Sequence, residues 1–270
     1  MLALLAPLIL QVGIGTSVTP ISPTPPELED RIRRTAPMMD RAASIPAIAS
    51  CLSLAGSDPA RAREIANEWI ARTTGEQRAA GRHCLGVAQG NAGAWGDAAG
   101  TFLAARDEGP TGSFRARMGA LAGTALLADA RPAEALAALD TAKTDAGGDP
   151  ELVEAIATDR ATALVSLDRP DEAATALAEA RVAMPGSAQA WLLSATLARR
   201  QGDLLKAQEY IEAAAQIDPR DPQIGLEAGV IAALDGRNDA AKRSFNSVLL
   251  AVPDGPLADA AKAYLGQLGA

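Results

Sequence analysis

The side chains most able to do chemistry in this chain are two cysteines, Cys51 and Cys84, and a single histidine, His83. A thiol–imidazole pair makes a nucleophile, but His83 and Cys84 are adjacent. On a helix they point about 100° apart and cannot form a dyad. A four-ligand zinc site would need a carboxylate beside all three. What remains is pairing: either a disulfide between Cys51 and Cys84, or two buried thiols acting as small apolar residues. The acidic pairs Glu27/Glu29, Asp107/Glu108 and Asp171/Glu172 sit at helix starts or exposed turns, where carboxylates are ordinary solvated charge. No phosphate-binding glycine loop, nucleophile elbow, H-E-x-x-H or dinucleotide fingerprint occurs. The residues therefore point to a non-enzymatic protein with no metal and no cofactor, and to His83 as an exposed or groove-facing polar group.

Whether the cysteines meet depends on the elements that carry them, and those elements are periodic. Helical hairpins recur every 34 residues or slightly more. Ala188–Asp221 and Pro222–Gly255 follow one another directly, with Gly202 and Gly236, Ala207 and Ala241, and Pro219 and Pro253 at shared offsets. The period extends upstream through 154–187, 116–150 with a Gly-rich insertion at 147–150, 79–112, and a weaker first unit at 43–76. A fixed period of this length signals an array in which each unit buries its apolar face only against its neighbours. Gly86, Gly123, Ala161, Ala195 and Gly229 are expected where helices cross closely, and Phe102, Leu177, Ile211 and Phe245 fill the space between hairpins. Pro59, Pro132 and Pro170 share one position at the start of the second helix, where a missing N–H costs nothing. Later prolines stop that helix. Stacking brings together the faces that carry Cys51 and Cys84, at places nine and six of neighbouring units. A bridge closing about 33 residues would stabilise the chain by roughly 3–4 kcal/mol.

These offsets resemble the tetratricopeptide repeat, whose 34-residue pattern runs Trp, Leu, Gly, Tyr, Ala, Phe, Ala, Pro. Ala188–Asp221 carries Trp191, Gly202, Ala207, Ala214 and Pro219, and departs at Ser194, Ala195 and Ala198, where the family has Leu, Gly and Tyr. The resemblance implies an all-α, right-handed superhelical solenoid of antiparallel helix pairs. It would hold about six repeats over 43–255 and a C-terminal capping helix at 256–268, with Asp259, Lys262 and Gln267 on its solvated face. It also implies that a peptide or protein surface binds in the concave groove lined by the first helices. The groove residues it singles out are Arg117, Thr124, Thr158, Thr162, Gln189, Thr196, Arg199 and Arg200. Arg199 and Arg200 read two ways, as anchors for an acidic or extended peptide or as a solvated helix end that complements the dipole. The Lys and Asn with which some members clamp a C-terminal carboxylate are missing from the matching positions, which disfavours that mode.

Composition narrows the partner. The net charge of −8 and a pI of about 4.8 leave no basic footprint for nucleic acid. At the N-terminus, residues 1–15 are apolar but short for a bilayer span, and suit the apolar region of a secretory signal. No Lys or Arg precedes the run and no Ala-x-Ala follows it, so an uncleaved anchor stands as the alternative. Residues 16–42 read as a proline-rich linker and a short helix. The expectation is an exported interaction scaffold of a bacterial cell envelope, in the periplasm or secreted. The alternative is a self-associating assembly factor anchored in the inner membrane.

Overall fold

Five of the hairpin turns are built on one backbone pattern, whatever residue occupies it. The computed structural model describes residues 48–269. The expected signal or anchor (1–15), the linker with its short helix (16–42) and the first few residues of the array lie outside that range. The described chain is a run of helices with no strand among them. In order they are α1 (48–57), α2 (Pro59–Arg72), α3 (Gly75–Asn91), α4 (Trp95–Glu108), α5 (Ser113–Ala128), α6 (Pro132–Asp145) and α7 (Pro150–Ser166). They continue with α8 (Pro170–Ala183), α9 (Ala188–Arg200), α10 (Leu204–Ile217), α11 (Pro222–Leu234), α12 (Asn238–Ala251) and α13 (Pro256–Gly269).

Odd-numbered helices open the units and even-numbered helices close them, with α13 following the last pair. Between α3 and α4 the turn residue Gly93 has a positive φ, as do Gly202 and Gly236 in later turns. Ala130 and Asp168 hold the same place with φ of 56°. In all five turns the next residue donates back to a carbonyl five positions earlier, as Ala94 does to Gln89 and Arg237 to Ala232, each at 2.9 Å. This six-to-one bond is the Schellman closure of a helix end. Pro59, Pro132 and Pro170 are the first residues of α2, α6 and α8. α4, α8, α10 and α12 each stop two residues before Pro110, Pro185, Pro219 and Pro253. One boundary differs from expectation. The Gly-rich insertion closes with Asp149, whose carboxylate accepts from the N–H groups of Glu151 and Leu152. Pro150 therefore opens α7 instead of ending the unit before it.

Packing follows the small-against-large pattern, but the large residues expected between hairpins face the small crossing residue of their own hairpin. A Cβ on Gly86 would come within 2.6 Å of the Phe102 ring. One on Gly123 would overlap Leu139, and one on Gly229 would overlap Phe245. Ala161 and Ala195 are buried at the equivalent crossings, with Leu177 and Ile211 buried at the positions that face them. Crossing through glycine and alanine brings the backbones close enough for one large side chain to fill the gap, which is how native packing density is reached. At the C-terminal end α13 packs against α11 and α12. The Tyr264 ring stacks on Phe245 with centroids 5.1 Å apart, and Asp259, Lys262 and Gln267 are exposed.

Candidate functional site

The face presented by the odd helices is best described joint by joint, because one pair of repeat positions recurs in each. Place nine of one unit looks toward place six of the next. In the α1–α3 joint these are Cys51 and Cys84, whose sulfur atoms lie at bonding distance with Cα atoms 6.0 Å apart. Asn91 Nδ2 adds a 2.9 Å hydrogen bond to the carbonyl of Ala55. In the α3–α5 joint they are Val87 and Leu121, which pack against one apolar core. His83 sits beside them, between the rings of Phe102 and Phe114, with both centroid distances 6.4 Å. Burial, helped by the nearby Arg117 cation, lowers its pKa to about 4. His83, expected as an exposed or groove-facing polar group, is a partly buried, neutral packing group set between two aromatic rings.

In the α5–α7 joint the positions are Thr124 and Asp159, and the Thr124 hydroxyl donates to Asp159 Oδ2 at 2.6 Å. Burial holds this carboxyl above the usual carboxylate range; the Thr124 hydrogen bond opposes the shift and the Glu154 charge adds to it. In the α9–α11 joint they are Thr196 and Glu227. There Arg199 reaches across from α9 and grips Glu227 in a two-point ion pair at 2.6 and 3.3 Å.

The α7–α9 joint is different. Its two positions hold Thr162 and Leu193, a hydroxyl facing an aliphatic side chain that cannot accept a hydrogen bond. Thr162 turns back to the carbonyl of Thr158 on its own helix, at 3.1 Å. Among the described residues the one polar link lies at the base, where Ser187 donates to Glu154 at 2.7 Å. α7 and α9 also approach less closely than α5 and α7. A pocket of about 220 Å³ opens between them. Val165, Leu193 and Leu197 line it with Leu177 of α8, and Thr162, Ser166, Thr196 and Arg200 supply its polar atoms.

Of the eight groove residues expected from the sequence, the fold brings three together at this pocket: Thr162, Thr196 and Arg200. Thr124 is exposed on the same face but engaged with Asp159. Arg117 and Gln189 are exposed elsewhere along it. Two differ from expectation. Thr158 is 8% exposed, and its hydroxyl is spent on the carbonyls of Glu154 and Ala155. Arg199 is committed to Glu227, so of the two arginines only Arg200 is left without an ion pair among the described residues. Asp159, Glu227 and Leu193 escaped sequence reading although all three occupy place six. The signal was present in Cys84, which occupies that same place. Among the described residues no group of three or more His, Cys, Asp or Glu is placed to hold a metal ion, and no helix is long and apolar enough to cross a membrane.

No protein-family profile matches the chain, and no curated protein matches it in sequence. Solved structures do resemble it. A thermophilic TPR protein of Thermus thermophilus, TTC0263, superposes with a TM-score of 0.56 at 18% identity, over 71% of this chain and 100% of that one. PilF of Pseudomonas aeruginosa gives 0.55 at 17% identity, over 76% and 91%. MamA gives 0.52 at 18% identity, over 62% and 94%. Hairpin repeats, Schellman turns, glycine crossings and these superpositions agree on one architecture: the chain has the tetratricopeptide-repeat fold.

Proposed function

We propose that the chain is a non-enzymatic interaction scaffold of a bacterial cell envelope, holding a peptide or protein surface against the groove lined by its odd-numbered helices. One observation carries this reading. The chain bridges the α1–α3, α5–α7 and α9–α11 joints with its own side chains, whereas the α7–α9 joint holds a pocket, apolar inside and polar at the rim. A concave apolar site with a few convergent polar groups is where a ligand gains affinity. Export is supported by the apolar N-terminal segment and by a pair of mutually buried cysteines, which an oxidising compartment favours.

The test is site-specific photo-crosslinking in living bacteria, comparing a crosslinker at Thr196 with one at Val182, which is exposed on α8. Adducts to another protein from Thr196 and not from Val182 are expected, together with a mature periplasmic chain starting near Thr16. Adducts only between copies of this chain, with Met1 retained in the membrane fraction, would replace this reading by the tethered, self-associating one. No adduct from the groove position would overturn it.

A further inference from the structure

We propose that the α7–α9 pocket is a specificity subsite that takes one aliphatic side chain of an extended segment, while Arg200 and Thr196 hold the carboxylate of an Asp or Glu beside it. The assignment rests on the groove reading above and narrows it to a sequence class.

Size comes first. At about 220 Å³ the pocket is smaller than the roughly 300–1,000 Å³ typical of small-molecule sites. It fits a side chain, and Val165, Leu193 and Leu177 give that side chain an apolar lining.

Donor accounting then fixes the polar neighbour. Thr162 has spent its hydroxyl proton on the Thr158 carbonyl, and Ser166 has spent its own on the Thr162 carbonyl at 2.9 Å. Both hydroxyls are thus engaged on their own helix, with no acceptor across the joint. Arg200 is exposed, and neither it nor the Thr196 hydroxyl has a side-chain partner among the described residues. The two are four apart on α9 and therefore share one helix face. The rim thus offers a guanidinium and a hydroxyl donor, which an anionic acceptor satisfies and a cation or amide donor does not.

The carboxylate is that of a side chain within a continuing segment. Past the rim, the residue on α11 equivalent to Arg200 is Leu234, which is 58% exposed. It offers apolar surface to a chain that runs on beyond the pocket. The molecule already contains the same recognition one residue away, where the Glu227 side chain fills the fork of Arg199. A ligand Asp or Glu would do for Arg200 what Glu227 does for Arg199.

The experiment is selection of a random octapeptide display library on the full chain, on Arg200→Glu and on Thr196→Trp. Circular dichroism confirms that both variants are folded, and the wild-type consensus peptide is then titrated by fluorescence anisotropy. The expected consensus is Leu, Ile, Val or Met with Asp or Glu within two positions. On Arg200→Glu the acidic preference should vanish or turn basic, with affinity for the original peptide falling about tenfold or more. On Thr196→Trp, which fills the pocket, the aliphatic preference should vanish. A wild-type consensus that binds both variants with unchanged Kd would overturn the subsite and leave groove binding standing. Failure to enrich any peptide on wild type would overturn the subsite as well, and together with absent crosslinks from Thr196 it would remove the interaction reading itself.

Discussion

The α5–α7 and α7–α9 joints are made of the same parts and come out opposite. Each sets a threonine at place nine against the sixth residue of the next unit. Where that residue is Asp159, a 2.6 Å hydrogen bond closes the joint. Both threonines also bond to their own helix, Thr124 to Ala120 and Thr162 to Thr158, but where the facing residue is Leu193 there is no acceptor across the joint and a pocket remains. The α1–α3 joint is the extreme case, with two cysteines in the same two places. In a repeat array the fold is set by what the units share, and the binding surface by single positions at which one unit departs.

The largest effect should come from the covalent joint. Replacing Cys51 and Cys84 by serine, or adding reductant, should lower stability by about 3–4 kcal/mol through the loop it closes, and denaturant unfolding would show the loss. Equal midpoints with and without reductant would mean that the α1–α3 joint is no stronger than its neighbours.

Next is the α3–α5 joint, through His83. Its folded pKa of about 4 lies below the value of about 6.5 for an unfolded histidine. The unfolded chain therefore binds the proton more tightly. The stability this represents is complete above about pH 6.5 and is lost as pH falls toward 4, about 3 kcal/mol across the window. Thermal melts from pH 7 to 4 should show the fall, and His83→Leu should flatten it. A variant that follows the wild-type pH profile would locate the acid sensitivity in another joint.

Glu227→Gln tests the ion-paired joint. It leaves the partly buried Arg199 with a neutral partner and should cost about 2 kcal/mol. Because Arg200 is untouched, a consensus peptide should bind as before. If peptide affinity fell with stability, the two arginines would be acting as one site.

The smallest change sharpens the comparison most directly. Leu193→Asp gives the α7–α9 joint the same pair as α5–α7, and Thr162 then has an acceptor across the gap. Stability should move by no more than about 1 kcal/mol, while peptide binding at the pocket is lost. The reciprocal Thr124→Val should loosen α5–α7 by about 1 kcal/mol without affecting binding. If Leu193→Asp left the peptide affinity intact, the contrast between the two joints would carry no functional meaning.

Much of this was legible in the chain itself. Pro59, Pro132 and Pro170 marked helix starts, and Gly86, Gly123 and Gly229 marked the crossings, because both depend on local backbone geometry or on a contact within one hairpin. Gly202 and Gly236 marked two turns. Ala130 and Asp168 concealed two more, since a residue that tolerates positive φ at a modest cost leaves no compositional trace. The cysteine pair was legible because only one partner was available to each thiol.

The sequence by itself determined the array: its period, its proline-marked helix starts and stops and its small-against-large packing, which follow from interactions among near neighbours in the chain. Only the tertiary structure decided which polar groups are spent. Arg199 and Arg200 are adjacent and alike as letters, yet one is paired with Glu227, 28 residues on, and the other stands at an open pocket. Thr158 and Thr162 read as equivalent hydroxyls, yet one is buried and the other lines that pocket. Such outcomes depend on which side chain the next unit presents across the joint. That is a pairing between distant positions, and it exists only once the units have stacked.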